Sequence, residues 1–145
     1  MQKKRSLHTE LTHCNCLALR QAARQVTQLY DRYLAREGLT TNQYSILAKL
    51  ARLGPLSINE LAEMMVMDRT TTGRAVRPLE RDKLVSIGPG EDGRTRVIHL
   101  TPMGERRAKA ALILWREAQK EFEDSYGAAE AAQLRSVLAD VVAAA

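Results

Sequence analysis

The chain is poor in cysteine and in aromatic residues, and it has no long apolar run. Its two cysteines, Cys14 and Cys16, stand two positions apart, too few and too close for a disulfide framework. Aromatic residues make up 4% of the 145 residues against a hydrophobic share of 45%. Ala and Leu do most of the filling, which suits helices better than a β-sandwich. No stretch approaches the roughly 18 apolar residues of a membrane span, and the N-terminal MQKKRSLHTE has no apolar core for a signal peptide. These absences lead us to expect a cytoplasmic protein without a membrane partner. The length allows one domain with a real core and excludes two independent ones. No Ser/His/Asp or Cys/His arrangement stands at usable spacing, and no phosphate loop or paired-carboxylate pocket can be picked out. An enzyme, a resident metal and a cofactor are therefore not expected. The formal charge of +5 allows an anionic partner without requiring one.

Residues 1–10 are polar and read as a flexible N-terminal arm. From about Leu11 to Arg36, Leu19, Ala22, Val26, Leu29 and Tyr33 recur at steps of three and four, the pattern of an amphipathic helix ended by Gly38. Thr40 and Gln43 offer a capping box for a second helix, with Ile46, Leu47, Leu50, Ala51 and Leu53 as its apolar set, stopped by Gly54-Pro55. Ser57 and Glu60 form another capping box and open a short helix. After the turn Val66-Met67, Asp68 is the N-cap candidate for the next helix, since its carboxylate can accept a backbone N–H at the positive end of the dipole.

On this last helix Thr72, Ala75, Val76 and Leu79 share one side. Thr70, Arg74, Arg77 and Arg81 lie opposite, with Gly73 at the flank. A solvated charge stripe is the ordinary reading of such a face. Two details favour nucleic acid instead. The first turn is Arg69-Thr70-Thr71-Thr72, short donors and acceptors rather than Glu/Lys pairs. The outward face is also all arginine, whose planar fork suits phosphate or guanine. Pro78 is expected to kink this helix or end its regular part.

Val85-Ser86-Ile87 and Arg96–Leu100 have strand character, and the Gly-rich loop between them makes a hairpin with Arg94 near its tip. The order of helix, turn, helix and hairpin is that of a helix-turn-helix with a wing. Arg94 would probe the minor groove, with Asp92 paired to it and fixing its direction. Thr101-Pro102 opens another helix, on which Ala108, Leu112, Trp115, Gln119 and Phe122 recur. Ser125-Tyr126-Gly127 breaks it, and a last helix carries Leu134, Val137, Leu138, Val141 and Val142. Apolar stripes on both terminal parts of the chain predict that these helices interlock with those of a second copy; the alternative is that they pack only onto their own winged domain.

The segment SINELAEMMVMDRTTTGRAVRPLERDKLV and the wing EDGRTRVIHLTPMGE resemble the MarR (multiple antibiotic resistance regulator) family of bacterial transcription regulators. That family's wing pattern, Asp-x-Arg followed by a strand and Leu-Thr-x-x-Gly, is met by Asp92, Arg94 and Leu100-Thr101-Pro102-Met103-Gly104. The resemblance implies a mainly α protein of about six helices plus a two-stranded hairpin wing. Residues 37–100 would be the winged helix-turn-helix, and 11–36 and 101–145 the dimerisation helices, in one continuous unit. It implies a homodimer on a pseudo-palindromic double-stranded operator, with Asp68 to Arg77 as reading helix. The expected DNA contacts are Arg69, Thr70, Thr71, Gly73, Arg74, Arg77, Asp92 and Arg94. It also implies a repressor released by a small-molecule effector or by cysteine oxidation, with a ligand pocket between the winged domain and the dimerisation helices. The competing class is a winged-helix module that binds protein and not DNA.

In the hydroperoxide-sensing branch of that family a reactive cysteine opens the first helix, where Cys16 stands here. Arg24 and Tyr30 match that branch, while Arg20 and Thr41 replace two of its tyrosines. Cys16, with Cys14, is thus a candidate redox sensor, favoured by Arg20 and a helix N-terminus. Two other readings stay open. Both cysteines can be small, partly buried, unreactive residues, or they can join His8 and His13 around zinc or copper, for which the spacing is poor.

Overall fold

The computed structural model describes residues 13–145. Helix α1 (Asn15–Leu34) starts later than the periodicity alone predicts, because Cys14 turns extended and its Sγ accepts the Leu17 N–H at 3.4 Å as a cap. Residues 11 and 12 and the N-terminal arm fall outside the described residues. A 3₁₀ turn (Ala35–Glu37) and Gly38 in the left-handed region (φ 69°) close the segment. The predicted Thr40/Gln43 box caps α2 (Thr41–Leu53). A second tie reaches this helix start from ten residues back. Asp31 Oδ1 accepts both the Thr41 N–H (2.7 Å) and its hydroxyl (2.6 Å), pinning α2 to α1.

Strand β1 (Leu56–Ser57) leads into α3 (Ile58–Met65), capped by the Ser57/Glu60 box. Next come α4 (Arg69–Arg81), β2 (Val85–Pro89), β3 (Arg96–Leu100), α5 (Pro102–Tyr126) and α6 (Ala128–Ala144). The fold is mainly helical with a small antiparallel sheet in the order β1-β3-β2. The hairpin is therefore flanked by a third strand, with Leu56 and Ile87 both opposite Ile98.

The core gathers one or more side chains from nearly every element. Leu34, Ile46, Leu47, Leu61, Val76, Leu79, Leu84, Val85 and Ile98 are buried together with Ala108, Ala111 and Leu114 of α5. Each large aliphatic residue so buried contributes about 1.5–3 kcal/mol. The core thus runs from the helix-turn-helix into the flanking helices without a break. On α5 the buried line is Gly104, Ala108, Ala111, Leu114 and Ala118. The expected stripe of Leu112, Trp115, Gln119 and Phe122 is only half-buried. Small residues win the inner side because they let α5 approach the core closely.

One further expectation changes. Pro78 does not end α4, which continues to Arg81. Val76 and Leu79 on either side of it are each 1% exposed, and the Leu84 N–H returns to the Leu79 carbonyl at 2.9 Å. Packing of that last turn outweighs the bond the ring removes. Among the described residues, no helix is long and apolar enough to cross a membrane.

Candidate nucleic-acid interface

Helix α4 is anchored from beneath and capped at its start. Thr72, Val76 and Leu79 face the core. The Thr72 hydroxyl, fully buried, donates to the Asp68 carbonyl at 2.8 Å. Asp68 is the N-cap, as expected. Its Oδ1 accepts the Thr71 N–H at 2.7 Å and its Oδ2 accepts the Thr71 hydroxyl at 2.9 Å. These two bonds, with a smaller share from the Arg74 charge, hold its carboxyl below the usual aspartate range.

The opposite face is open. Arg69, Thr70, Arg74, Arg77 and Arg81 are exposed. Arg81 leans on Asp82 at 3.5 Å. Arg69, Arg74 and Arg77 take part in none of the ion pairs among the described residues. Gly73 lies beside them, and a Cβ built on it would meet nothing within 4 Å. Its missing side chain is not required by the packing of this chain.

The wing tip is ordered by a turn and one carboxylate. The Gly90 N–H donates to the Thr95 carbonyl (2.7 Å) and the Gly93 N–H to the Gly90 carbonyl (3.0 Å). Gly93 is in the left-handed region (φ 71°), where a side chain would be strained. Asp92 does not pair with the Arg94 guanidinium as expected. Its Oδ1 accepts the backbone N–H of Arg94 (2.9 Å) and of Thr95 (2.8 Å), and Oδ2 accepts the Thr95 hydroxyl (2.7 Å). The hydroxyl and amide of Thr95 come first among the bonds that lower its pKa. Asp92 thus sets the backbone of the tip and leaves the Arg94 guanidinium out of any ion pair among the described residues.

The same device serves both basic elements. In Asp68-Arg69-Thr70-Thr71 and in Asp92-Gly93-Arg94-Thr95 an aspartate takes the amide and the hydroxyl of the threonine three residues on. Arg96, exposed at the start of β3 and likewise outside those ion pairs, was not singled out from the sequence.

The cysteines lie apart from this surface, at the start of α1. Both are free and exposed, not partly buried. Tyr30, matched by resemblance to a cysteine-contacting tyrosine, instead donates its hydroxyl to Gln119 Oε1 on α5. Burial first, then the Glu123 charge, raise its pKa, so it remains a donor. Of the metal candidates, His8 lies outside the described residues, and no group of three or more potential ligands occurs among those described.

An open groove of about 350 Å³ runs between α2 and α5. Tyr44, Ala48, Ala51 and Leu112 give it apolar walls, and Arg52 stands at its side with the Glu105–Lys109 ion pair (3.5 Å).

Residues 39–94 match the family model described as MarR family. An HTH-type transcriptional regulator of Bacillus cereus is 32% identical over 100 residues, 69% of this chain and 67% of that protein. The transcriptional activatory protein BadR of Rhodopseudomonas palustris is 30% identical over 66% of this chain and 57% of its own length. The chain thus spans about two thirds or less of the curated relatives it matches. Among solved structures, the M. tuberculosis transcriptional regulator MosR in complex with DNA is 37% identical. It superposes with a TM-score of 0.80 over 91% of this chain and 96% of that one.

Proposed function

The chain belongs to the MarR family, and from that premise we propose that it regulates transcription by binding double-stranded DNA as a homodimer. The observation that carries the reading is the outward face of α4. It presents Arg69, Arg74 and Arg77 in no ion pair among the described residues, on a winged fold like that of a regulator solved with DNA. In this reading α4 enters the major groove, with Arg69, Thr70 and Thr71 near base edges and Arg74 and Arg77 at bases or phosphates. Gly73 lets the helix backbone come close to the duplex. Arg94, aimed by the Asp92 clamp, reaches the flanking minor groove.

Dimerisation is supported by apolar side chains left in the open at both ends of the chain. On α6, Val137, Leu138, Val141 and Val142 are 36–54% exposed, and Leu19 on α1 is 41% exposed. A second copy covering these faces would make one continuous unit of residues 11–36 and 101–145 from each chain, holding two 37–100 readers at fixed spacing. The output is repression, relieved when a small, partly apolar ligand enters the α2–α5 groove. Oxidation at Cys16 or Cys14 is the second route to release, favoured by their exposure.

The test is fluorescence anisotropy on duplexes selected by the full chain from its own upstream region. Binding should be sequence-dependent and should weaken steeply with salt. Arg74→Ala and Arg94→Ala should each weaken it by about 1–3 kcal/mol. Unchanged affinity in both variants would remove these residues from the interface. A folded dimer that binds no duplex at low salt would favour the protein-interaction module instead.

A further inference from the structure

The three consecutive threonines of α4 are not equivalent. Thr72 is buried, with its hydroxyl on the Asp68 carbonyl at 2.8 Å. Thr71 is exposed, but its hydroxyl is turned back to Asp68 Oδ2 at 2.9 Å while its N–H holds Oδ1 at 2.7 Å. That bond fixes the side-chain rotamer, so the group Thr71 offers outward is its γ-methyl. Thr70 is exposed, lies on the same face as Arg74 and Arg77, and its hydroxyl has no partner among the described residues. One turn of helix thus carries one free hydroxyl and one presented methyl, side by side at the end that meets base edges in a helix-turn-helix.

We propose that Thr71 is a specificity-determining residue that reads the C5-methyl group of a thymine through its own methyl, while Thr70 supplies the hydrogen-bonding hydroxyl beside it. The inference rests on the DNA-binding reading above and assigns the base class recognised at that position. Thymine is the base that presents an apolar group in the major groove, and a threonine methyl is a suitable partner for it. An engaged hydroxyl makes the assignment sharper. A free one at position 71 could turn to donate or accept and would accept several bases, whereas a hydroxyl held by the cap cannot.

The experiment uses the full chain and a duplex it selects from a random-sequence pool, with each thymine replaced in turn by deoxyuridine, which lacks only the methyl. Wild-type affinity should fall about fourfold at one thymine per half-site, the size expected for one methyl contact. Thr71→Ser keeps the hydroxyl bond to Asp68 and removes the methyl, so it should bind the thymine and uracil duplexes equally. Thr71→Val keeps a methyl and should preserve the fourfold preference. Thr70→Val should weaken all these duplexes alike while Thr70→Ser binds as wild type. Circular dichroism melts establish that each variant is folded. Selective binding with no uracil-sensitive position, or a Thr71→Ser that retains the preference, overturns this inference alone. Failure to select any duplex overturns the DNA-binding reading and this inference with it.

Discussion

Replacing Gly104 by alanine tests how the wing is joined to the long helix. Gly104 is in the first turn of α5, against the chain that leaves α4. A Cβ there would stand 2.0 Å from the Leu84 carbonyl oxygen, 2.9 Å from its carbon and 2.8 Å from Leu100 Cδ1. Carbon and oxygen come no closer than roughly 3.3 Å even in favourable contacts, so α5 and Leu84 must part by about 1 Å. The carbonyl cannot simply rotate, since it accepts the Thr101 N–H at 3.1 Å and the Thr101 hydroxyl at 3.0 Å. Overpacking of this kind costs about 1–3 kcal/mol, and each hydrogen bond released adds about 0.5–1.5 kcal/mol. The better helix propensity of alanine returns about 1 kcal/mol. We expect a net loss of about 1–5 kcal/mol and a fall in Tm of roughly 3–15 °C for a chain of this size. The assay is a far-UV circular dichroism melt at equal protein concentration, because the proposed dimerisation would make Tm concentration-dependent. Gly73→Ala is the matched control, with nothing within 4 Å of its added Cβ. It should stabilise by about 0.4–1 kcal/mol and yet weaken duplex binding, because in the proposed binding mode DNA occupies the space it fills. A Gly104→Ala protein melting within about 1 °C of wild type would refute the reasoning from close approach.

Three other outcomes follow from particular residues. Val66 is β-branched, 69% exposed and left-handed at φ 53°. Val66→Gly should therefore raise the urea midpoint, by up to about 1 kcal/mol of stability, and a comparable loss would show that its side chain matters more than its backbone. Val137→Asp with Val141→Asp should convert a dimer to monomer in sedimentation velocity and abolish tight duplex binding; an intact dimer would clear α6 of that role. Asp68 and Asp92 both have lowered pKa values because they accept amides and hydroxyls. A depressed folded pKa gives a contribution that is present above the unfolded value of about 3.9 and is lost as pH falls through the folded one. These two clamps should thus leave duplex affinity level between about pH 5 and 8. A loss of affinity above pH 5 that Asp92→Asn abolishes would contradict this.

What could be read in advance were the features whose signal is local. The Thr40/Gln43 and Ser57/Glu60 boxes and the Asp68 and Thr101 caps each need only four residues, and all four close as expected. The inner and outer faces of α4 follow from a 3.6-residue period. What could not be read depends on a partner far along the chain. Strand β1 is two residues long and exists because Ile98 and Val97 offer it an edge. The Asp31 tie to Thr41 spans a helix end and a turn, and the inner line of α5 is chosen by how close a helix of small residues can come. Asp92 is the instructive failure, because its signal was local and was read as charge. An aspartate two residues before an arginine invites an ion pair, but such a pair at full exposure gains little. The Thr95 amide and hydroxyl are nearer in the chain and need no long side chain to be ordered. At Asp68-Arg69-Thr70-Thr71, where the spacing to threonine is identical, the same competition gives the helix cap. Had the ion pair formed, the wing would carry a neutralised arginine. Because the carboxylate is engaged by backbone and hydroxyl, the Arg94 guanidinium is left unpaired among the described residues, as the proposed contact with the minor groove requires.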